Sequence, residues 1–420
     1  MAIAYLSNSF PEATEPYVWE EISELRRRKQ RVLPCSIKRP RNEANTEAAI
    51  QALYAFPLTA KTCLAASWVC VQNWRKIADF LIRAISGREP ARRRVRTVIH
   101  TWLGAYLAAM LRDRGIKHIH VHHGYFSSWV GMVAAKLLGA GFSMTLHGSD
   151  LLVRADYLDI KLKHCKFCVT ISEFNRRYIL RNYPEVDVCK ILVHRVGIDV
   201  PAWCSTLRLP SKNEIEILSV GRLHAIKNHE FLILACRALK SSDVKFRCRI
   251  AGDGDERLRL QQLISALGLE QEVELLGHVS REQLPALYAR ADVVVLTSRS
   301  EGVPVALMEA MATGALVLAP DITGIPELIA NGKTGFLYRH NSMDDFLQKL
   351  RFALHSGVSL DRIRQAGRSK VERVFSSSQN VRNFAASFLQ RINAAGSQGL
   401  VLAERDADEN PILQQIQLPV

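Results

Sequence analysis

The segment 291–319 constrains the fold of this chain more than any other stretch of its 420 residues. It starts with an apolar, β-branched run at 291–296, which is typical of a strand buried in a parallel sheet. A polar turn leads into a helical pattern that begins near Pro304, where a missing N–H costs nothing, and ends at Gly314. Residues 315–319 predict the next buried strand. This order of strand, helix and strand predicts an α/β fold.

The turn before this helix predicts an anion site. The first N–H groups of a helix lack partners within it, and the positive end of the helix dipole attracts a phosphate. Glu301 and Glu309 do not suit a phosphate without a metal, but an ionised carboxylate accepts hydrogen bonds from two neighbouring hydroxyls. A nucleotide sugar, which carries a diphosphate between hydroxyl-bearing rings, would satisfy both features. Taken alone, the same residues also fit a solvated helix, because glutamate is an ordinary helix former.

Two further motifs follow predicted strands. Residues 220–228 are Val-Gly-Arg-Leu-His-Ala-Ile-Lys-Asn, and residues 145–150 are Thr-Leu-His-Gly-Ser-Asp. Ligands of doubly wound sheets bind beyond the carboxyl ends of the strands, which is where His147 would lie. Two cations such as Arg222 and Lys227 can bind a diphosphate and stabilise the charge that develops as it leaves. The structural alternatives are a histidine that caps a turn and a pair of solvated loop cations.

The three motifs together resemble the signature of the large retaining glycosyltransferase family 4. The family shares the E-x7-E spacing of Glu301 and Glu309 with E-A-M-A-x-G, the G-R-L-x4-K segment and the histidine segment, in the same order. The resemblance covers residues 2–392. It implies the GT-B fold, which is an α/β fold with two Rossmann-like, doubly wound domains that face a central cleft.

The resemblance also implies a reaction and a site. A sugar would pass from a nucleoside diphosphate sugar, UDP- or GDP-linked, to an acceptor hydroxyl with retention of anomeric configuration. In the family the departing phosphate takes the acceptor proton, so we expect neither a cofactor nor an obligatory metal, and electrostatic stabilisation lowers the barrier. The implied catalytic residues are Arg222, Lys227, Glu301 and His147, and the implied nucleotide-binding residues are Glu309, Gly302, Val303, Gly221 and His278.

These residues would act at different points along the ligand. The two cations and the amides after Gly302 would hold the diphosphate, and Glu309 would hold the ribose. Glu301 and His147 would contact the transferred sugar, with Asp150 holding the loop of the histidine. His278 would lie beside the base.

The loop after the first strand departs from the family. Many members have a glycine-rich turn there, whereas residues 8–16 are Asn-Ser-Phe-Pro-Glu-Ala-Thr-Glu-Pro. This loop resembles the F-P-x-x-S-E-x-F variety that is common in exopolysaccharide enzymes, with Glu15 at the matching glutamate and Thr14 in place of the serine. We therefore expect a lipid-linked or polysaccharide acceptor and a role in cell-surface polysaccharide biosynthesis.

Positive charge is concentrated in the first half of the chain. Residues 1–200 contain 30 Lys and Arg against 17 Asp and Glu, whereas the remainder contains 26 against 24. Such asymmetry predicts an anionic partner for the first half, either nucleic acid or anionic lipid. The chain has no recognised nucleic-acid-binding module, so we expect no nucleic acid partner.

A mainly helical insertion at 41–115 carries the feature that favours lipid. A predicted helix at 64–85 places apolar residues at helical spacing between cations, namely Trp68, Val71, Trp74, Ile77, Phe80 and Leu81. Tryptophans beside cations are typical of a helix that lies in an anionic membrane surface, and the alternative is a core helix with a solvated face. No apolar run approaches the roughly 20 residues of a spanning helix. We expect a cytoplasmic protein that is peripheral on the inner face of the membrane.

Three patterns resemble metal sites. On a strand, His118, His120 and His122 would share one face, but no Cys or carboxylate lies close by in the sequence. The motif Cys165-x-x-Cys168 is the only close pair among nine cysteines, which we expect to be reduced. The Asp-Gly-Asp triplet at 253–255 follows a predicted strand and predicts a turn. We expect no metal site.

These predictions divide the chain into five parts. They are an acceptor domain at 1–200 that contains the insertion, a linker at 201–213, a nucleotide-sugar domain at 214–375, a helix at 376–393 that packs back on the first domain, and a mobile tail at 394–420. Two alternative functions stay open at this stage. A nucleotide-sugar epimerase of the same fold would use the same nucleotide site, and a basic protein that binds nucleic acid or membrane would not be an enzyme.

Overall fold

The computed structural model describes residues 1–12, 15–40, 49, 51–87, 89–204, 214–241, 245–355 and 359–394. These residues form two parallel sheets. The first lobe is built on β1 (Ala2–Ser9), β2 (Arg31–Lys38), β3 (Leu53–Tyr54), β4 (Ile116–His122), β5 (Gly141–Leu146), β6 (Phe167–Thr170) and β7 (Ile191–Val193). The second lobe is built on β8 (Ile215–Val220), β9 (Phe246–Ala251), β10 (Val273–Gly277), β11 (Val293–Val295), β12 (Leu316–Pro320) and β13 (Phe336–Tyr338).

Helices flank both sheets. Those up to the end of the first sheet are α1 (Pro16–Arg27), α2 (Ala60–Gln72), α3 (Trp74–Ser86), α4 (Ala91–Leu111), α5 (Phe126–Leu138), α6 (Ser149–Leu152), α7 (Leu158–His164) and α8 (Glu173–Asn182). Those that follow are α9 (Val200–Cys204), α10 (His229–Lys240), α11 (Arg257–Ala266), α12 (Leu284–Arg290), α13 (Val305–Ala312), α14 (Ile325–Leu328), α15 (Met343–His355), α16 (Ser359–Val374) and α17 (Ser377–Asn393). Within the part of the chain that the structure describes, no helix combines the length and apolarity needed to cross a bilayer.

The first strand shows why a central strand of these sheets is rich in apolar residues. In β1, Ala4 and Leu6 pack into one hydrophobic cluster, whereas Ile3 and Tyr5 pack into another on the opposite face. Successive side chains of a strand point to opposite faces, so a strand with two covered faces has no position left for a solvated residue.

The order of the strands creates a crevice in each sheet. The first sheet has the order β3-β2-β1-β4-β5-β6-β7, and the second has the order β10-β9-β8-β11-β12-β13. The chain therefore leaves β1 and β4, and likewise β8 and β11, in opposite directions across the sheet. Ligands of doubly wound sheets bind at the carboxyl ends of such strand pairs.

The insertion differs from its prediction. The single helix expected at 64–85 is broken at Asn73, whose backbone N–H and side-chain amide both donate to the carbonyl of Val69. The apolar residues also do not share one face: Ile77 and Phe80 are buried, with Phe80 against Trp129, whereas the three before them, Trp68, Val71 and Trp74, are exposed. The prediction of one apolar face was wrong because periodicity does not show which side of a helix meets the core.

The predicted linker at 201–213 begins inside α9. Trp203 is buried against Tyr288 of the second lobe, with ring centroids 5.8 Å apart, so this end of the segment belongs to a core. Residues 205–213 and the predicted tail from 395 onward lie outside the described residues. Helix α17 packs on α1, and its Phe384 and Phe388 join the cluster of the first sheet that contains Tyr5.

Candidate functional site

The carboxyl ends of the two sheets meet at two glycines. A Cβ atom on Gly148 would lie 3.6 Å from the Cα of Gly302, and one on Gly302 would lie 2.8 Å from the carbonyl oxygen of His147. Gly148 follows β5 and has a left-handed φ of 137°, while Gly302 follows β11. The candidate site is therefore a cleft whose two walls touch at the turns that the sequence motifs predicted.

Lys227 and Glu301 form an ion pair on the second-lobe wall of the cleft. The Lys227 Nζ donates to Glu301 Oε1 at 2.6 Å, and the Ser298 hydroxyl donates to the same oxygen at 2.6 Å. The backbone of Lys227 is held because the Thr297 hydroxyl, just after β11, lies 3.1 Å from the Lys227 carbonyl oxygen. Residues 74 positions apart thus place a cation and a carboxylate at the start of α13.

Glu309 lies in α13 and is almost fully buried. Burial raises the pKa of its carboxyl to about 7, although the hydrogen bond from Tyr288 and the charge of Arg281 act in the opposite direction. The Tyr288 hydroxyl donates to Glu309 Oε2 at 3.0 Å. A carboxyl with this pKa changes between its protonated and ionised forms near neutral pH, so small changes in its surroundings alter its charge.

Arg222 faces the first lobe. It is exposed and lines a cavity of about 560 Å³ together with Glu15, Tyr17 and His123, which belong to the first lobe. Burial alone would lower the pKa of His123, but its 2.8 Å hydrogen bond to Glu15 and the charge of that residue raise the pKa instead. The cavity therefore presents a guanidinium from one wall and an imidazole–carboxylate pair from the other.

His147 is held at the cleft by its backbone and by its ring. Asp150, which is fully buried, accepts hydrogen bonds from the N–H groups of Gly124 at 2.8 Å, His147 at 3.0 Å and Gly148 at 2.8 Å. The expected role of Asp150 in holding the loop fits these contacts. Burial, followed by the charges of neighbouring imidazoles, lowers the pKa of His147 well below its usual value, so the ring is neutral at pH 7.

A buried chain of hydrogen bonds continues behind His147. His147 Nε2 lies 3.1 Å from His122 Nδ1, and His122 Nε2 lies 3.1 Å from Glu21 Oε2. The Tyr5 hydroxyl donates to the same carboxylate oxygen. The Glu21 oxygen accepts from His122 Nε2, and His122 Nδ1 and His147 Nε2 share one hydrogen bond. Glu21 thus orients the ring of His122, which in turn holds the histidine at the cleft.

Sequence reasoning missed Glu21, although a signal was present. On α1 the buried residues are Val18, Glu21, Ile22, Glu24 and Leu25, so the glutamate interrupts an apolar stripe. A carboxylate at such a position needs a buried partner. Its partner, His122, lies 101 residues later in the chain, and only the pairing of β1 with β4 brings the two together.

The remaining predicted residues differ in their surroundings. Gly221 lies under the side chain of Lys227, whose carbons would be 3.6–3.8 Å from an added Cβ atom. Val303 is buried in the second-lobe core. His278 is exposed after β10, and among the described residues it makes no hydrogen bond to another candidate.

The patterns that resemble metal sites have other roles in this structure. Glu21, His120 and His122 offer ligand atoms within 4.8 Å of one another, but both ring nitrogens of His120 already meet hydroxyls, Ser143 at 2.7 Å and Thr145 at 3.0 Å. Cys165 and Cys168 are both buried, and burial raises the pKa of each thiol, which disfavours the thiolate that a metal requires. The triplet at 253–255 forms a turn in which the Asp253 carboxylate accepts from the next N–H.

Part of the chain is similar to known glycosyltransferases. Residues 208–370 match the family model of glycosyl transferases group 1. The chain is 36% identical over 210 residues to WcaL of Salmonella typhimurium, named as a colanic acid biosynthesis glycosyltransferase, across 48% of this chain and 52% of the relative. It is 34% identical over 250 residues to the amylovoran biosynthesis glycosyltransferase AmsK of Erwinia amylovora, across 56% and 60%. These matches span about half the length of the curated relatives.

A solved structure shares the whole architecture. HepE of Anabaena, crystallised in complex with UDP-glucose, superposes with a TM-score of 0.68 at 17% identity, over 93% of this chain and 99% of that protein. Two parallel sheets with flanking helices and this likeness confirm the predicted GT-B fold.

Proposed function

We propose that this protein is a retaining glycosyltransferase, which transfers a sugar from a UDP- or GDP-linked donor to a lipid-linked or polysaccharide acceptor in cell-surface polysaccharide biosynthesis. The observation that carries the proposal is the convergence of Lys227, Glu301 and His147 where the carboxyl ends of the two sheets meet. The match to glycosyl transferases group 1 and the names of WcaL and AmsK support it. The complex of HepE with UDP-glucose supports a nucleotide sugar as donor.

The charges of the cleft suit the departure of a diphosphate. Lys227 and Arg222 supply two cations, and the first-turn amides of α13 after Gly302 add donors that have no partner within the helix. As the bond to the sugar breaks, negative charge grows on the diphosphate and these groups stabilise it more than they stabilise the bound donor. Glu301 is paired with Lys227, so it holds sugar hydroxyls rather than attacking the sugar.

The comparisons favour neither of the alternatives that the sequence left open, which are an epimerase and a non-enzymatic nucleic-acid binder. We further propose that transfer requires no metal ion, since two cations and helix amides supply the positive charge.

A panel of UDP, GDP, ADP and dTDP sugars tests the donor proposal by thermal shift, because a ligand that binds the folded state raises its stability. No shift with any of the four classes would refute the proposal.

Replacement of Glu309 by glutamine is expected to remove a pH dependence of donor binding. With a pKa of about 7, the carboxylate that accepts the ribose hydroxyls forms as the pH rises from about 6 to about 8. We expect wild-type affinity for the nucleotide sugar to rise about tenfold over this range, and Glu309→Gln to bind more weakly and without this change. Calorimetry with a nucleotide sugar measures it, since its diphosphate does not titrate there.

The stability of the ligand-free protein provides a second check, because it should change with pH in the opposite direction to donor affinity. The pKa of Glu309 is raised above the usual value of 4.5, so this residue stabilises the fold fully at low pH, and that stability is lost as the pH rises through about 7. Glu309→Gln should therefore remove a fall in unfolding free energy between about pH 5 and 8. Equal donor affinity of Glu309→Gln and wild type at about pH 6 and at about pH 8 would contradict the role of Glu309.

The first lobe carries a surface that supports the proposed membrane partner. Five apolar residues, Leu64, Trp68 and Val71 of α2 with Val95 and Ile99 of α4, are between 57% and 75% exposed and define what we call the exposed apolar face. The Trp102 Nε1 of α4 donates to the Ser67 hydroxyl of α2 at 3.2 Å, so the two helices present this face together. Exposed cations on these helices and on α3, among them Lys61, Arg75 and Arg92, complement an anionic lipid surface.

Replacement of Trp68 by glutamate is expected to weaken membrane binding at least about tenfold, because it removes apolar contact and adds a charge that anionic lipid repels. Sedimentation with phosphatidylglycerol-containing vesicles measures the effect. Leu258→Glu is the matched control, since Leu258 of α11 is 71% exposed on the other lobe. Wild-type protein that fails to sediment even at low salt, or equal loss in both variants, would rule out this surface.

A further inference from the structure

A second cavity lies in the first lobe, next to the cleft. It encloses about 350 Å³ between α4, α5 and the segment 149–161. Asn8, Tyr125 and Ser149 line both this cavity and the one that Arg222 faces, and the Tyr125 hydroxyl lies 2.7 Å from the Ser149 hydroxyl between them. The cavity is therefore continuous with the wall on which an acceptor would approach the donor.

Four basic side chains and one carboxylate line this cavity. Asp156 lies between two guanidinium groups, 2.8 Å from Arg93 and 3.1 Å from Arg154. Arg96 lines the same cavity and forms no ion pair with any residue that the structure describes. One carboxylate thus faces three guanidinium groups, which leaves an excess of positive charge.

A buried lysine, Lys161, adds to this excess of positive charge. Its side chain is buried, and its Nζ donates to the carbonyl oxygens of Gly124 at 2.7 Å, Tyr125 at 3.1 Å and Asp156 at 2.7 Å. Burial lowers the pKa of Lys161 to about 7 despite the nearby aspartates. An anion in the cavity would favour the charged form of this lysine.

Tyr157 contributes a buried, weakly bonded hydroxyl to the cavity. It is 4% exposed, it lines the cavity, and its hydroxyl interacts weakly with Thr97, which lines the same cavity, without forming a hydrogen bond of ordinary length. Its backbone also has a left-handed φ of 54°, a conformation that costs a non-glycine residue free energy. A buried hydroxyl that is weakly bonded is costly, and a phosphate oxygen in the cavity would accept a better hydrogen bond from it.

Helix α4 links the cavity to the exposed apolar face. A helix turns about 100° per residue, so Arg93, Arg96 and His100 fall on one side, toward the cavity. Val95 and Ile99 belong to the exposed apolar face, and Val95 falls on the opposite side while Ile99 falls between it and Arg96. A molecule with an anionic group in the cavity could therefore extend an apolar chain around the first turns of α4 toward a lipid surface.

We propose that this cavity binds the diphosphate that joins the acceptor glycan to its lipid carrier. The assignment rests on the proposed function and specifies its acceptor. A diphosphate matches the cavity because it offers several anionic oxygens to convergent guanidinium groups, which bind phosphates in two-pronged fashion. The shared boundary with the cleft then sets the glycan end of the acceptor beside the donor.

Calorimetric titration of the protein with farnesyl diphosphate tests the assignment. The donor site is first saturated with the nucleotide sugar that the protein binds, because Lys227 and Arg222 would otherwise also attract a diphosphate. We expect Arg96→Ala to weaken farnesyl diphosphate binding by about tenfold or more, as for a lost hydrogen bond to a charged group. The matched control is Arg92→Ala, one turn away on the same helix and outside the cavity, which should bind like wild type.

Farnesol and inorganic pyrophosphate separate the contributions of the two ends. Farnesol should bind far more weakly than farnesyl diphosphate, and pyrophosphate should bind more weakly but with the same dependence on Arg96. Equal affinity for pyrophosphate and farnesyl diphosphate would overturn the lipid-linked acceptor in favour of a site for free phosphate. Equal effects of Arg92→Ala and Arg96→Ala, or no binding of either diphosphate, would overturn the assignment altogether.

The donor side distinguishes this inference from the proposed function. Arg96→Ala should bind the nucleotide sugar as tightly as wild type, because Arg96 lies outside the donor site. If nucleotide sugars bind and diphosphates do not, the cavity assignment fails and the proposed function stands. If farnesyl diphosphate binds with the expected dependence on Arg96 and no nucleotide sugar binds, the site is supported and the proposed function fails.

Discussion

Replacement of Lys227 by alanine is expected to lower the rate of sugar transfer by about 10²–10³-fold while the protein stays folded. The Nζ of Lys227 lies 2.6 Å from Glu301 in the cleft, so its charge is fixed where the diphosphate would depart. Such a preorganised cation stabilises the transition state more than the bound donor, so its loss should lower kcat more than it raises KM. Steady-state kinetics of Lys227→Ala measures the effect.

Lys240→Ala is the matched control for this variant. Lys240 is also a lysine of the second lobe in an ion pair, 2.8 Å from Glu272, and its side chain is 36% exposed. We expect Lys240→Ala to transfer sugar at the wild-type rate, because surface ion pairs contribute little. Thermal unfolding of both variants should shift by only a few degrees. A Lys227→Ala protein that turns over as fast as Lys240→Ala would refute the role of Lys227.

The substitution Gly302→Ala is expected to lower activity by on the order of 100-fold through geometry alone. The new Cβ would lie 2.7 Å from the Ile171 side chain and 2.8 Å from the His147 carbonyl oxygen, both closer than real contacts allow. Ile171 can change rotamer, but the His147 backbone is held by Asp150. The two lobes must therefore separate at the cleft, which displaces His147 from the donor.

Gly221→Ala provides the contrast. Its added Cβ would meet only the side-chain carbons of Lys227, at 3.6–3.8 Å, which is ordinary van der Waals contact. We expect its activity to fall several times less than that of Gly302→Ala. Kinetics and thermal unfolding of both variants test the comparison. Full activity of Gly302→Ala would show that the lobes do not need this close approach, and would contradict the arrangement of the cleft.

Local patterns predicted the elements that carry the site. The strands expected at 291–296 and 315–319 occur as Val293–Val295 and Leu316–Pro320, and α13 between them begins after Pro304. Such elements are predictable because hydrophobic period, proline and glycine act within a few residues along the chain. The pairing of Glu301 with Lys227 could not be predicted in this way. The sequence showed both residue types, but their 2.6 Å contact depends on β8 and β11 being neighbours in the sheet.

Buried polar residues were the least predictable part. Glu21 signals only that a carboxylate interrupts an apolar stripe, and nothing near it in the sequence names His122 as its partner. Arg92, Arg93 and Arg96 form one basic run in the sequence, yet two line the cavity of the first lobe and one does not. Arg92 and Arg96 lie one turn apart on similar sides of the helix, so only the position of the neighbouring segment 149–161 determines which of them is enclosed.

The sequence by itself determined the order of strand, helix and strand at 291–319, the GT-B class and the residue types that a diphosphate and sugar rings require. Only the tertiary structure decided that Glu21 orients His147 through His122, that Arg96 faces a cavity, and that Trp68 faces outward. The physical reason is the separation along the chain of the residues that interact. The preference of a segment for strand or helix depends on residues that are close in the sequence, whereas burial and charge pairing depend on packing between segments that lie far apart in the chain.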